Sequence, residues 1–189
     1  MHYSCFVFTK EFPTDDILYK VLAPFNEEDF YNNEEKTRIY PEFLWDCFKV
    51  GGRYSGLLKL SVRKNKDKYD WGFYSNGGRN GKLFRSQLID TINKFKQNNP
   101  EGWMFREEDV YGELGYRDGY IRVDGCPVID ILNRKKLSCY CFVDKNGDAY
   151  SCEKWNGENY EKHEDFDEVL TKTINDSLDC YLTVVDIHS

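Results

Sequence analysis

Apolar positions recur along this chain in two registers, one of period two and one near 3.6, and their order outlines a fold. The opening run His2-Tyr3-Ser4-Cys5-Phe6-Val7-Phe8-Thr9 is aromatic and β-favouring, and predicts a strand. Pro13-Thr14-Asp15 then starts a helix, with Ile17, Leu18, Val21 and Leu22 at helical spacing and Pro24 ending it. Residues 26–38 are polar and acidic and read as an exposed loop. A second helix is expected over 41–50, with Pro41 in its first turn and Phe43, Leu44, Cys47 and Phe48 as its apolar face. Gly51-Gly52 would stop it, and a strand would follow over 54–62, turning at 64–67 into a returning strand over 69–74.

A glycine-rich loop at 75–82 leads to an amphipathic helix over 84–95, with Leu88, Ile92 and Phe95 on one stripe. Residues 98–120 have no clear period, so an irregular insertion or lid is expected there. Strands over 138–143 and 149–155 should form a hairpin around Asp144-Lys145-Asn146-Gly147-Asp148, since Asn-Gly is a strong turn signal. A helix over 165–178, with Phe166, Val169, Leu170 and Ile174 inward, and a closing strand over 180–188 complete the chain. Strands and helices mix without regular βαβ alternation. The expected class is α+β: a mixed, mainly antiparallel sheet holding both terminal strands, with three to four helices packed on it, in a single domain over 1–189.

Composition narrows the function classes. Among 189 residues, Lys and Arg number 26 against 33 Asp and Glu, a net charge of −7, which argues against broad charge-driven binding to nucleic acid. Neither a basic-then-apolar leader nor a run near membrane-spanning length is visible, which leads to the expectation of a cytoplasmic protein of a bacterial host cell. The seven cysteines are irregularly spaced and read as reduced thiols.

The chemistry-bearing candidates are few. In the stretch WDCFKVGGRYSG, Arg53 leaves a double-glycine turn beside Tyr54, and its planar fork suits phosphate or carboxylate. Asp46, about two turns earlier on the expected helix, could orient it; a glycine helix cap with a structural ion pair is the plainer alternative. On the last strand Asp186 and His188 share a face, and His2 begins the first strand, so Asp186 could set the tautomer of His188. Trp45, Tyr54, Trp71 and Tyr74 could line a base-stacking surface, although core packing is the ordinary reading of aromatics.

Other patterns fall short. The 77–82 glycines lack the Walker spacing, and 144–148 has its glycine too early for a calcium loop. Cys139 and Cys141 alternate onto one strand face with Cys152 opposite, yet complete no usual zinc spacing and read as buried thiols. No metal and no cofactor is expected.

The stretches HYSCFVF, LAPFNE, WDCFKVGGRYSG and YLTVVDIHS resemble, in the same order, a group of small proteins encoded by bacteriophages and mobile elements. Those carry "WDWYQIGGRWTG" centrally and end near "LLTVVDCH". The resemblance spans nearly the whole chain and carries over Trp45, Asp46, Gly51, Gly52, Arg53, Gly56, Asp186 and His188. It departs at Cys47, Phe48 and Tyr54. It implies a phage origin and no established biochemistry.

Three readings follow. The first is an accessory binding protein that counters a host defence system, by sequestering a small anionic, nucleotide-type ligand or by binding and inhibiting a defence protein. Its ligand contacts would come from Arg53, Gly51, Gly52, Tyr54, Trp45 and Asp46, and homo-oligomers are compatible with it. The second is an enzyme on a phosphorylated or nucleotide substrate, with Arg53 holding the anion, His188 as acid/base and Asp186 orienting it. The third is an acidic nucleic-acid mimic that inhibits a nuclease or CRISPR effector through residues 26–35 and 158–168.

Overall fold

The computed structural model describes residues 1–28, 44–61, 102–105, 120–156 and 158–189. The sheet is organised by the two ends of the chain. β1 (His2–Thr9) and β10 (Tyr181–His188) pair antiparallel over their whole length, from His2 opposite His188 to Thr9 opposite Tyr181. Both are rich in aromatic and β-branched residues and are buried over most of their length on both faces, as central strands must be. Between them in sequence come α1 (Asp15–Leu22), β2 (Cys47–Val50), β3 (Leu58–Ser61), β4 (Met104–Phe105), β5 (Tyr120–Pro127), β6 (Cys141–Val143), β7 (Ala149–Ser151), β8 (Glu153–Trp155), β9 (Tyr160–Lys162) and α2 (Phe166–Asp176). The main sheet runs β3-β5-β10-β1-β6-β7, with β2 joined to β10 and β4 to β5; β8 and β9 form a separate hairpin. The β1–β6 pairing is parallel and the others are antiparallel.

Alternation along the strands sends side chains into two cores. Phe6, Phe8, Phe142, Leu182 and Val184 meet Phe166, Leu170 and Ile174, spaced four apart along α2. On the opposite face Cys5, Val7, Cys141, Val143, Val185 and Ile187 meet Leu18 and Leu22 of α1, together with Trp45. α1 begins where the Thr14 side chain accepts from Ile17 N, with Asp15 and Asp16 in its first turn to complement the helix dipole. The class is thus α+β, a mixed and mainly antiparallel sheet containing both terminal strands. The described residues hold two α-helices, one on each face.

The helix expected over 41–50 is not formed where it can be seen. Residues 47–50 are β2, antiparallel to Val185–His188, while 41–43 lie outside the described residues. Phe48 and Val50 face the α1-side core and Cys47 and Lys49 are exposed, a period-two pattern. The open edge of β10 supplies backbone partners that a weak local helix preference cannot match. The following strand starts only at Leu58, because Gly52–Tyr54 form a 3₁₀ turn. The second arm of the 138–155 hairpin breaks at Cys152, after which β8 leaves to pair with β9.

The turn at 144–148 forms with Asp144 Oδ1 accepting from Asn146 N and Asp148 N, and Gly147 at φ 90°. Cys139 lies before β6 and packs on the α2 side, whereas Cys141 points to the α1 side, so the two do not share a face. All seven cysteines are free, and burial pushes the Cys126, Cys139 and Cys141 thiols well above their ordinary range.

The expectations over 29–38, 64–74, 75–82, 84–95, 98–101 and 106–119 lie outside the described residues. Within the irregular stretch, Trp103 is a core residue whose Nε1 donates to Asp130 Oδ2 at 3.2 Å, and β4 pairs with β5.

Phe142 is fully buried, stacked on Tyr150 at 4.8 Å and tilted against Phe166 at 5.5 Å. Phe142→Ala should lower the unfolding free energy in urea by about 3–5 kcal/mol. A loss below about 1 kcal/mol would show that β6 does not join the α2-side core.

Candidate functional site

Along β10, the face that carries Leu182 and Val184 into the α2-side core continues with Asp186 and His188. The strand register extends that change across the sheet. Asp186 lies between Ser4 of β1 and Lys49 of β2, and His188 lies between His2 and Cys47. One end of an otherwise apolar face therefore carries two cross-strand rows of polar and titratable groups.

The stretch Gly51–Gly56 closes over this end. β10 changes partners here, pairing with β5 through Thr183 and with β2 from Val185 onward, and Gly51 N donates to the intervening Val184 O at 2.8 Å. The turn is folded around two buried carboxylates, Asp186 and Asp124, 6% and 4% exposed. Asp186 Oδ2 accepts from Arg53 N at 2.9 Å, and Asp124 Oδ1 accepts from Gly56 N at 2.7 Å. The Ser55 hydroxyl lies 2.7 Å and 2.9 Å from the two Asp124 oxygens. A buried carboxylate is costly unless its lone pairs are filled, and backbone N–H groups in a tight turn fill them.

The double glycine is required by this approach. Gly51 and Gly52 have φ of 69° and 47°, a region that L residues avoid. A Cβ on Gly51 would lie 2.3 Å from Asp124 Oδ2, and one on Gly52 2.4 Å from Asp186 Cβ.

The charged partners differ from those expected. Asp186 pairs with His2, whose Nδ1 is 3.0 Å from Oδ1, and not with His188. His188 Nδ1 lies 2.9 Å from both oxygens of Asp46, and Asp46 N donates to His188 O. With β2 a strand, Asp46 is carried to the end of β10 and not toward the Arg53 guanidinium. His188 is thereby satisfied from the side, which leaves Asp186 to the diagonal neighbour His2, within reach across paired strands. The two imidazoles touch edge to face, 4.9 Å between centroids.

Trp45 is buried in the α1-side core, with Nε1 donating to Leu22 O at 2.7 Å, so it does not line this end. Tyr54 packs on the α2-side core and donates its hydroxyl to His2 O at 2.9 Å, acting as a strut between turn and β1; burial raises its pKa. Arg53 is exposed, and among the described residues its guanidinium makes no hydrogen bond or ion pair.

The structure thus brings Arg53, Gly51, Gly52, Asp46, Asp186 and His188 to one end of the sheet, and adds His2, Cys47, Asp124 and Ser55. Asp124 was open to notice as a lone acid inside the β-favouring run Ile121-Arg122-Val123-Asp124. Nothing local signals that Ser55 is its partner.

The hydrogen bond with His188 holds the Asp46 carboxyl below its ordinary value. That carboxylate in turn accepts from the Cys47 thiol and raises its pKa. At this end of the sheet a thiol, a carboxylate and an imidazole lie together in reach of solvent. Compared with protein-family models, curated proteins and solved structures, the chain matches none.

Gly52→Ala should cost about 2–4 kcal/mol, the sum of a strained φ and an overlap with Asp186, as read from urea denaturation. A change under about 0.5 kcal/mol would mean that the turn does not rest on that carboxylate. Cys47 should be the first thiol alkylated by iodoacetamide in the folded protein. Asp46→Asn should speed that reaction at pH 8, because the carboxylate no longer holds the thiol pKa up and more of the thiol is ionised. An unchanged or slower rate would remove Asp46 as the cause of the raised thiol pKa.

Proposed function

We propose that this chain is an accessory binding protein that holds a small phosphate-bearing, nucleotide-type anion at the His2–His188 end of its sheet, with Arg53 as the charged contact. The carrying observation is the Gly51–Gly56 turn, whose backbone N–H groups are engaged by Asp186 and Asp124 while the Arg53 guanidinium stays exposed. A rigid turn that presents an arginine fork loses little entropy when a phosphate or carboxylate docks. The resemblance to phage and mobile-element proteins supplies the biological setting: sequestering a nucleotide signal, or blocking a defence protein, in the cytoplasm of a bacterial host. Among the described residues, which leave out 29–35, no geometry favours the acidic nucleic-acid mimic.

A second reading is favoured by one observation, the two carboxylate-supported histidines whose rings touch at 4.9 Å. Such a pair suits acid–base chemistry on a phosphate ester, one imidazole taking a proton from the attacking oxygen and the other giving one to the leaving oxygen. In that enzyme Asp186 supports His2, and Asp46 supports His188.

One assay separates the two. Purified protein is incubated with a nucleotide panel, desalted and heated, and the released material is identified by mass. Intact nucleotide supports sequestration, and altered nucleotide supports the enzyme. Arg53→Ala should weaken retention about tenfold or more with the circular dichroism spectrum unchanged, since a charge-assisted contact contributes about 1.5–3 kcal/mol. Turnover that survives His2→Ala and His188→Ala would remove the acid–base pair. Neither retention nor turnover would leave only the protein-partner role.

A further inference from the structure

We infer that Asp46, Cys47 and His188 form a binding site for a divalent transition metal of the zinc class. The inference stands apart from the anion reading, because it uses neither Arg53 nor the Gly51–Gly56 turn. One donor atom from each residue can be chosen so that all three lie within 4.8 Å of one another. A tetrahedral zinc ion, with ligands at about 2.0–2.3 Å, sets them roughly 3.4–3.8 Å apart, so only small side-chain rotations are needed to close the set.

The placement is fixed by backbone. Cys47 sits opposite His188 in the β2–β10 register, and Asp46 N donates to His188 O at 2.9 Å. Cys47 and His188 are thus the facing end residues of two hydrogen-bonded strands, and Asp46 directly precedes the first of them. The Asp46 carboxylate is already within 2.9 Å of His188 Nδ1, and the His2 ring packs edge to face against the same imidazole.

The donor set is informative in itself. A thiolate with an imidazole and a carboxylate suits zinc, cobalt or nickel far better than magnesium or calcium, which take oxygen ligands. Asp46 and Cys47 are exposed and His188 is half-exposed, so a bound ion keeps a position open to water or to a ligand oxygen, as in three-ligand zinc centres. Binding proceeds with loss of the Cys47 thiol proton to solvent, and a ring nitrogen of His188 coordinates in its neutral form. Motif spacing in the sequence cannot reveal this set, since Asp46 and Cys47 are adjacent and His188 lies at the far end of the chain.

The test uses Co²⁺ as a spectroscopic probe on full-length protein freed of metal by chelator. Wild type should take up one equivalent, with a thiolate-to-cobalt charge-transfer band and visible bands of four-coordinate intensity, and Zn²⁺ should displace it. Cys47→Ser should abolish the charge-transfer band. Asp46→Ala and His188→Ala should each weaken Co²⁺ binding by at least about tenfold, the lower range seen even for residues that only support ligands. Arg53→Ala should bind Co²⁺ as wild type does, so a failure of the anion reading is read separately. No charge-transfer band in wild type, or an equal band in Cys47→Ser, would overturn the proposal. Because the substituted side chains are exposed or half-exposed, an unchanged thermal melting curve identifies folded variants.

Discussion

Two carboxyl groups buried under a six-residue turn set the arrangement of the rest of this end of the molecule. Asp124 and Asp186 come from different strands, and each would be strongly unfavourable in a dry interior without donors. The Gly51–Gly56 turn provides Arg53 N to one and Gly56 N to the other, with the Ser55 hydroxyl adding to Asp124. That requirement forces the backbone so close that only glycine fits at 51 and 52. It also fixes where β2 ends and β3 begins, and so where β10 exchanges β5 for β2 as its neighbour.

From that fork the site follows. β2 is held against the last residues of β10, which places Asp46 beside His188 and Cys47 in the same row. The remaining oxygen of Asp186 meets His2 at the start of β1. Residues from the two ends of the chain and from its first third converge on one edge of a face that is otherwise apolar. Arg53 is presented outward by the same turn. Of the proposed uses of this polar sheet end, the anion contact draws on Arg53 alone, whereas the acid–base pair and the metal site share Asp46 and His188.

The sequence pattern exposed much of this and misassigned a definite part. Strands at 2–9 and 181–188, helices at 15–22 and 166–176, and the turn at 144–148 are where periodicity and turn residues placed them, to within a few residues. Residues 47–50 were misread because Phe43, Leu44, Cys47 and Phe48 also satisfy a helical stripe, and a four-residue strand is too short for alternation to outweigh it. The pairing of Asp186 was misread for a related reason. Sharing a face with His188 says nothing of which neighbour across the sheet is closer or already engaged.

What the sequence by itself determined is local. Alternating apolar residues make the terminal strands, i and i+4 leucines make α1, and Gly51-Gly52-Arg53 marks a sharp turn beside a cation. Only the tertiary structure decided that the glycines are there to let a backbone approach two carboxylates, that Asp46 belongs to His188 and Asp186 to His2, and that Cys47 joins them. These outcomes depend on partners more than a hundred residues apart, brought within hydrogen-bonding distance by strand register, and the energy of burying a charge is set by those partners and not by its neighbours in sequence.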